Sequence, residues 1–190
     1  MQMFGATTAY LAAAILTATP MIASADRLDG DPVTAATLVD VQEMIRIVDS
    51  LDAAVDAKDW TLARSLFIDE IQVDFASLTG VAPATIPADA LIAGWAGNLK
   101  PSKTSFHLRG NHRVSFEDAR TPVMLSHGYA WNRLEAGALP ENGGDPLWHV
   151  WGNYEHRFVK TENGWRLSGL SFFATAQSGN FYVRDTIPEE

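Results

Sequence analysis

The chain has 190 residues, a formal net charge of −9 and no cysteine. An acidic chain without a basic cluster is a poor partner for nucleic acid, because its own carboxylates repel phosphate groups. The lack of cysteine excludes disulfides, thiol nucleophiles and thiolate metal sites, so the fold depends on its apolar core.

Residues 1–25 form a separate segment that contains no Asp, Glu, Lys or Arg. An apolar run at 9–18 is followed by the tripeptide Ala-Ser-Ala ending at Ala25, which has the small residues that a signal peptidase reads. This pattern predicts a signal peptide at 1–25, cleavage after Ala25 and an exported, periplasmic protein. The alternative is an uncleaved membrane anchor, for which the run is short, since a span needs about 20 residues.

The rest of the chain, residues 26–190, has the size of one domain with a buried core. It contains no second apolar run long enough to cross a bilayer. We therefore expect a single domain without stable membrane insertion once the signal is removed.

The first half of this domain has mainly helical patterns. Apolar residues at helical spacing predict a long helix at 38–55, and a short second helix is predicted at 61–67. Alternation predicts a strand at 71–78. A loop rich in Gly and Pro at 79–88 precedes a third predicted helix at 90–99.

Long strands dominate the second half. Four of them are predicted, at 104–117, 122–134, 147–160 and 165–174. The turn signals Asn142-Gly143-Gly144 and Asn163-Gly164 favour antiparallel hairpins, and the tail at 175–190 has no clear period. The order predicts an α+β fold in which N-terminal helices pack on one face of a strongly curved, mostly antiparallel sheet. Such a fold leaves a cavity between helices and sheet, a common small-molecule site.

Four aspartates on the first helix are candidate catalytic acids. Asp49, Asp52, Asp56 and Asp59 recur at steps of three and four, so they share one side of the helix. A solvated acidic face would give the same pattern. Spacing alone favours Asp52 as the buried acid, because Asp56 lies roughly 90° from the centre of the apolar arc.

The first long strand contains a candidate base. Alternation places His107, Arg109 and Asn111 on one face and the apolar Phe106 and Leu108 on the other. The polar face either meets solvent or lines a polar cavity. A single histidine on a strand is more often structural than catalytic.

The other histidines are weaker candidates. His127, on the next strand, is a possible second site residue, whereas His112 and His156 have the opposite parity and are predicted at the surface. No metal-binding motif, glycine-rich phosphate loop or nucleophile elbow is present, so we expect no metal and no cofactor.

At this point the chain resembles the SnoaL-like branch of the nuclear transport factor 2-like superfamily, whose fold is a cone-shaped α+β barrel. The resemblance spans residues 34–174. It is carried by Val55-Asp56-Ala57-Lys58-Asp59-Trp60, Val73-Asp74-Phe75, the segment from His107 to Asn111, Trp151-Gly152-Asn153-Tyr154 and Asn163-Gly164-Trp165-Arg166-Leu167.

The resemblance implies a catalytic pair. Two enzyme groups in the superfamily, scytalone dehydratase and hexachlorocyclohexane dehydrochlorinase, use an Asp–His pair, and these positions match Asp56 and His107. The carboxylate would orient the imidazole, whose neutral nitrogen would remove a proton from the substrate. Two tyrosines of the dehydratase match Val55 and Phe75 here, which have no hydroxyl, so the electrophilic side of the site differs. The dehydrochlorinase's arginine is replaced near Leu170.

The expected function is therefore a cofactor-independent, elimination-type lyase for a small hydrophobic, aromatic or cyclic substrate. The expected substrate-binding residues are Phe75, Trp95, Asn111, His127, Tyr129 and Tyr154. One alternative is a non-catalytic ligand-binding or interaction module of the same fold. Another is a ketosteroid-isomerase-like enzyme, which a buried Asp74 or Asp52 facing Tyr129 would favour. The resemblance also implies a homo-oligomer, either a dimer or a trimer.

Overall fold

The computed structural model describes residues 30–116, 121–141 and 143–188. The predicted signal peptide at 1–25 and Asn142 of the predicted turn lie outside these residues. The described elements are α1 (Leu38–Ala57), α2 (Trp60–Ser65), β1 (Phe67–Asp74), α3 (Ala76–Thr79), β2 (Ala84–Pro87), α4 (Ala88–Asn98), β3 (Lys103–Ser115), β4 (Val123–Leu134), a 3₁₀ turn (Ala136–Ala138), β5 (Leu147–Thr161), β6 (Gly164–Gly179) and α5 (Phe181–Asp185). Within these ranges, no helix is both long enough and apolar enough to cross a membrane.

The strands form one six-stranded sheet in the order β2-β1-β6-β5-β4-β3. β1 pairs with β6 in parallel, and the other four neighbouring pairs are antiparallel. The sheet curls around the N-terminal helices, as in the cone fold of the nuclear transport factor 2-like superfamily. The predicted α+β architecture is confirmed.

The first helix forms the centre of the core. Met44, Val48 and Leu51 lie on its inward face and are almost completely buried, as their spacing predicts. α1 ends at Ala57 and is capped by Lys58, which adopts a left-handed conformation with φ 60° and donates its N–H to the carbonyl of Val55. The final two turns of α1 face β3, and these turns position the acidic residues of the site.

Several predicted boundaries differ from the structure. The strand predicted at 71–78 is β1, which begins at Phe67 and ends at Asp74, where the side chain of Asp74 accepts the N–H of Ala76 and the short helix α3 begins. The second helix ends at Ser65 because Phe67 already pairs with β6 in the sheet. The predicted loop at 79–88 contains the edge strand β2, whose backbone hydrogen bonds come from β1. The first part of the tail extends β6 to Gly179. It is extended because its backbone pairs with β5, although its side chains show no alternation.

A β-bulge in β3 changes which side chains face inward. The pairing register with β4 shifts between Gly110 and Arg113, and Asn111 takes a positive φ of 56°. Beyond the bulge the alternation is inverted, so His112 approaches Asp49 on α1 and Val114 enters the core. The prediction that His112 lies at the surface is wrong for this reason.

A buried lysine fixes the C-terminal segment. Lys103 is fully buried, and its Nζ donates to Asn98 Oδ1 and to the carbonyl oxygens of Arg184 and Thr186. Burial lowers the pKa of Lys103 to about 8. These bonds hold α5 against the ends of α4 and β3, which brings Arg184 to the rim of the cavity described below.

The outer face of the sheet, opposite the helices, has an aromatic surface. Phe106 stacks on Trp131 with ring centroids 5.9 Å apart, and Tyr129 packs against Trp151 at 5.3 Å. The hydroxyl of Tyr129 lies 2.8 Å from Nδ1 of His149 on the same face. Phe106 and Trp151 are each about 40% exposed, so this surface is not covered by the described chain.

Two paired glycines allow aromatic rings to lie flat on the inner face. A Cβ at Gly128 would lie 2.2 Å from the ring of Tyr154, and one at Gly152 would lie 2.6 Å from the ring of Phe172. These rings pack on each other with centroids 4.4 Å apart. The missing side chains therefore make room for the floor of the cavity.

We expect Gly128→Ala to lower the free energy of unfolding by about 1–3 kcal/mol, because the new methyl group displaces the buried Tyr154 ring. Urea unfolding followed by circular dichroism measures this. Gly97→Ala in α4 is the matched control, because its Cβ meets open space and alanine favours a helix. Equal stability of wild type and Gly128→Ala would contradict the packing described here.

Candidate active site

A cavity of about 710 Å³ lies between the helices and the concave face of the sheet. This volume is in the range of pockets that bind drug-sized ligands, about 300–1,000 Å³. Most of its wall is apolar, with contributions from Leu51, Val55, Val73, Leu91, Val150 and Leu170. Asp52, His107 and Arg109 add polar groups where α1 faces β3, and a second polar group, which includes Asn98, Arg184 and Asp185, lies beside α5. The arrangement suits a largely hydrophobic molecule that is oriented by a small number of hydrogen bonds.

Asp56 and His107 meet at this wall. Nδ1 of His107 lies 2.7 Å from Oδ1 of Asp56, and both side chains are about 20% exposed. His107 lines the cavity, while Asp56 lies behind it on α1. A carboxylate can only accept hydrogen bonds, so Nδ1 donates to Asp56, and in the neutral form of the ring Nε2 then holds the free lone pair.

Three hydrogen bonds fix the carboxylate of Asp56. Oδ1 accepts from the hydroxyl of Ser105 at 2.8 Å as well as from His107, and Oδ2 accepts from the backbone N–H of His107 at 2.8 Å. Burial acts to raise the pKa of Asp56, but these hydrogen bonds outweigh it and hold that pKa below its usual value. Asp56 is therefore a carboxylate with a defined orientation toward the imidazole.

A second ion pair lies one helical turn earlier. Arg109 donates through Nε to Oδ2 of Asp52 at 2.9 Å and through Nη2 to Oδ1. Its Nη1 contacts Nε2 of His156, and its guanidinium stacks 3.7 Å from the centre of the Tyr154 ring. The Asp52 and Arg109 side chains are only 11% and 4% exposed, yet both line the cavity. Asp52, which the helical spacing predicts as the buried acid, is therefore paired with an arginine.

Apart from Asp52, two polar groups contact Arg109, and both of them, His156 and Tyr154, are uncharged. Burial, followed by the repulsion of Arg109, lowers the pKa of His156 well below its usual value. Since arginine only donates, Nε2 of His156 accepts and its Nδ1 carries the proton. Burial raises the pKa of Tyr154 to about 12, so this phenol stays protonated at neutral pH. The net charge of this inner group is therefore zero.

The predicted substrate-binding residues fall into two sets. Phe75, Trp95 and Tyr154 line the cavity together with His107. The remaining three, Asn111, His127 and Tyr129, are absent from its lining. Those three lie on the outer face, where Asn111 Nδ2 contacts Nδ1 of His127 at 3.0 Å and Tyr129 contacts His149. The β-bulge explains Asn111, and the inward parity of Gly128 and Ala130 explains the other two.

A family model for the SnoaL-like domain matches residues 36–171. The chain belongs to the SnoaL-like domain family. Its fold is that of the nuclear transport factor 2-like superfamily. No curated protein matches the sequence significantly.

Solved structures similar to this SnoaL-like chain include proteins with different names. The Kfla4162 protein from Kribbella flavida has a TM-score of 0.72 at 28% identity, over 78% of this chain and 99% of that one. A protein from Novosphingobium aromaticivorans, provisionally described as a scytalone dehydratase, has a TM-score of 0.64 at 18% identity over 77% and 91%. Hexachlorocyclohexane dehydrochlorinase LinA-type3 from Novosphingobium barchaimii has 0.58 at 13%, over 76% and 93%. The last two show similarity of fold.

Two residues of the site of this SnoaL-like domain were not predicted as such. Alternation along β3 indicates that Arg109 shares the His107 face but gives it no role. The prediction that His156 lies at the surface is wrong, because its side chain is completely buried. A signal was present, because His156 alternates with Tyr154 and Phe158, which share its inward parity. In the described part of the chain, no three His, Asp or Glu side chains come close enough to hold a metal ion.

The lowered pKa of Asp56 gives a pH-dependent prediction. A lowered pKa in the folded state contributes stability above the unfolded pKa of about 3.9, and this contribution is lost as the pH falls through the folded value. We expect Asp56→Asn to be less stable than wild type by about 1–3 kcal/mol at pH 7, and by less below about pH 4. Denaturant unfolding at pH 7 and pH 3 measures the two differences.

Asp49→Asn is the control for this prediction, because Asp49 is on the same helix with a side chain that is 59% exposed. Its effect should stay within about 0.5 kcal/mol. An Asp56→Asn effect that is the same at both pH values would contradict the charged hydrogen bonds described here.

Proposed function

We propose that the protein is a cofactor-independent lyase in which His107, oriented by Asp56, removes a proton from a small hydrophobic, cyclic or aromatic substrate. The observation that carries this proposal is the 2.7 Å contact between Nδ1 of His107 and Asp56 at the wall of an apolar cavity. A neutral imidazole with its Nδ1 proton held by a carboxylate is a common general base.

The proposed reaction uses the free lone pair on Nε2. Nε2 takes a proton from carbon, the electrons of that C–H bond form a new double bond, and the leaving group departs with its bonding pair. Asp56 stabilises the imidazolium that forms, because the ion pair is only partly exposed to water. The imidazolium then returns its proton to the leaving group or to water.

The comparisons support an elimination without naming a substrate. Two similar structures are named as a dehydratase and a dehydrochlorinase, and these names denote loss of water and of hydrogen chloride. The proposed substrate class rests on the apolar wall of the cavity. Its volume exceeds that of a small aliphatic metabolite and suits a molecule of one to three rings.

The isomerase alternative lacks its expected arrangement. Both oxygens of Asp52 are bound by Arg109, and Tyr129 lies on the outer face of the sheet. Oδ1 of Asp74 accepts from the backbone N–H of Ala76. We therefore do not propose a reaction in which one of these aspartates acts as the base opposite a tyrosine.

We expect His107→Gln and Asp56→Asn to lower kcat for elimination by about 10²–10⁴-fold, because each removes part of the general base. The assay follows the absorbance of a new conjugated double bond in a panel of bicyclic β-hydroxy ketones and chlorinated cyclohexanes. His127→Gln is the matched control, because that histidine lies on the outer face and outside the cavity. Full activity of His107→Gln on any substrate of wild type would refute the proposal. Binding of the panel without turnover would favour the ligand-binding module.

We also propose that the aromatic outer face forms an interface with a second copy of this chain. Four aromatic rings pack together there, of which Phe106 and Trp151 are exposed and Trp131 and Tyr129 are half-buried. Contiguous exposed aromatic surface is typical of interaction sites. On a chain of net charge −9, a surface formed by uncharged rings also avoids repulsion between identical copies.

We expect Trp131→Glu to convert an oligomer into a monomer, because paired faces would bury a carboxylate without a partner. Light scattering coupled to size-exclusion chromatography gives the mass directly. Val39→Glu is the control, since Val39 is 73% exposed on α1, away from the outer face. A monomeric wild type would exclude this interface.

A further inference from the structure

Arg109 has donors that the fold does not use. A guanidinium carries five N–H groups. Nε and Nη2 each give one to Asp52, and Nη1 gives one to His156, which leaves one N–H on each terminal nitrogen. Arg109 lines the cavity, so these two remaining donors are available to a molecule bound there.

The guanidinium is held rigidly from three sides. Asp52 accepts two hydrogen bonds from one edge of the guanidinium, and His156 contacts its other terminal nitrogen. The Tyr154 ring covers one face of the group. Tyr154 is itself backed by Phe172 at 4.4 Å. A donor whose position is set before substrate arrives loses little entropy on binding and needs no reorganisation during the reaction.

The charge of the cluster selects the kind of acceptor. The carboxylate of Asp52 neutralises Arg109, and the carboxylate of Asp56 lies against His107, so neither basic side chain lacks a negative partner. A carboxylate ligand would meet no net positive charge in this part of the cavity. A neutral carbonyl oxygen, which gains negative charge only as the reaction proceeds, suits such a donor better.

The spacing on β3 allows His107 to act as the base and Arg109 as the hydrogen-bond donor on one substrate. His107 and Arg109 are two positions apart on one strand, so their Cα atoms are separated by about 6.7 Å and their side chains point into the same cavity. A base and a hydrogen-bond donor at this separation can reach the C–H carbon and the oxygen of one carbonyl group together.

We propose that Arg109 is a further catalytic residue, which binds the carbonyl oxygen of a cyclic or aromatic ketone while His107 removes a proton from the adjacent carbon. This inference rests on the proposed lyase function and specifies its substrate class. The C–H electrons form the carbon–carbon double bond of an enolate, and the carbonyl π electrons move onto the oxygen that Arg109 holds. The enolate then re-forms the carbonyl and expels a β-substituent, which receives the proton from His107.

The test compares two probes that differ by one carbonyl group, 1-tetralone and tetralin. The variants are wild type, His107→Gln and the paired variant Asp52→Leu/Arg109→Met, which removes both charges so that neither remains buried alone. Near-UV circular dichroism checks that each variant is folded. Tryptophan fluorescence gives both dissociation constants, and the ¹³C resonance of labelled 1-tetralone reports polarisation of the bound carbonyl.

We expect the preference for 1-tetralone over tetralin to fall by about tenfold or more in the paired variant, since a hydrogen bond from a charged donor is lost. The bound carbonyl resonance should lie downfield in wild type relative to this variant. His107→Gln should keep both the preference and the resonance position. An unchanged preference in the paired variant, or no binding of either probe to wild type, would overturn the proposal.

Deuterium exchange at the carbon next to the carbonyl of 1-tetralone separates this inference from the lyase proposal. We expect wild type to accelerate exchange in D₂O, and both His107→Gln and the paired variant to lose about 10²-fold or more of that acceleration. Exchange that needs His107 but is unaffected in the paired variant would refute the role of Arg109 alone. A carbonyl preference that depends on Arg109, without any accelerated exchange, would refute the base and leave the carbonyl site standing.

Discussion

The site depends on a match between the repeat of a helix and the repeat of a strand. Asp52 and Asp56 are four residues apart on α1, a rise of about 6.0 Å. Arg109 and His107 are two residues apart on β3, a separation of about 6.7 Å. The two elements face each other so that each carboxylate meets one basic side chain, and the two contacts set the position of α1 on the sheet. The packing of α1 on the sheet and the proposed chemistry therefore involve the same four residues.

The two contacts differ in their burial and in what they leave free toward the cavity. The inner pair, Asp52 with Arg109, lines the cavity but is almost completely shielded from bulk solvent, and it is neutral as a unit and packs on the ring of Tyr154. The outer pair, Asp56 with His107, is partly exposed and keeps one nitrogen free toward the cavity. Removing one partner of the inner pair would leave an unpaired charge in the interior. Such a substitution should therefore lower the free energy of unfolding more than one at the outer pair.

The sequence predicts the structure correctly where the spacing of apolar side chains matches the face that is buried. The helical repeat of α1 and the alternation along β3 to β6 predicted the layers of the fold and the face that contains His107. Periodicity also ranked Asp52 as the more buried acid, which is correct, although it gave no indication that an arginine binds it. The choice of Asp56 as the partner of His107 came from the family resemblance, and the structure brings the two side chains into contact. Their catalytic roles remain a proposal, and the signal peptide remains a prediction.

The wrong predictions concern strands, where backbone geometry rather than side-chain pattern decides the outcome. A strand pattern assumes unbroken alternation, and the bulge at Asn111 breaks it by one residue, which moves Asn111 outward and His112 inward. His127 and Tyr129 were assigned to the cavity without a parity argument, and their strand directs them to the other face. β2 has almost no pattern of its own, because its place in the sheet is set by hydrogen bonds from β1.

The two glycines under the rings of Tyr154 and Phe172 help to set the depth of the cavity. Tyr154 and Phe172 lie low because Gly128 and Gly152 have no side chains under them. At Gly128 a methyl group would meet the Tyr154 ring at 2.2 Å and push it toward the helices, which would make the cavity shallower there. At Gly152 it would also meet the carbonyl oxygen of Phe173 at 2.4 Å, so that position is constrained by the backbone of β6 as well. Two residues that do not line the cavity thus help to set its size.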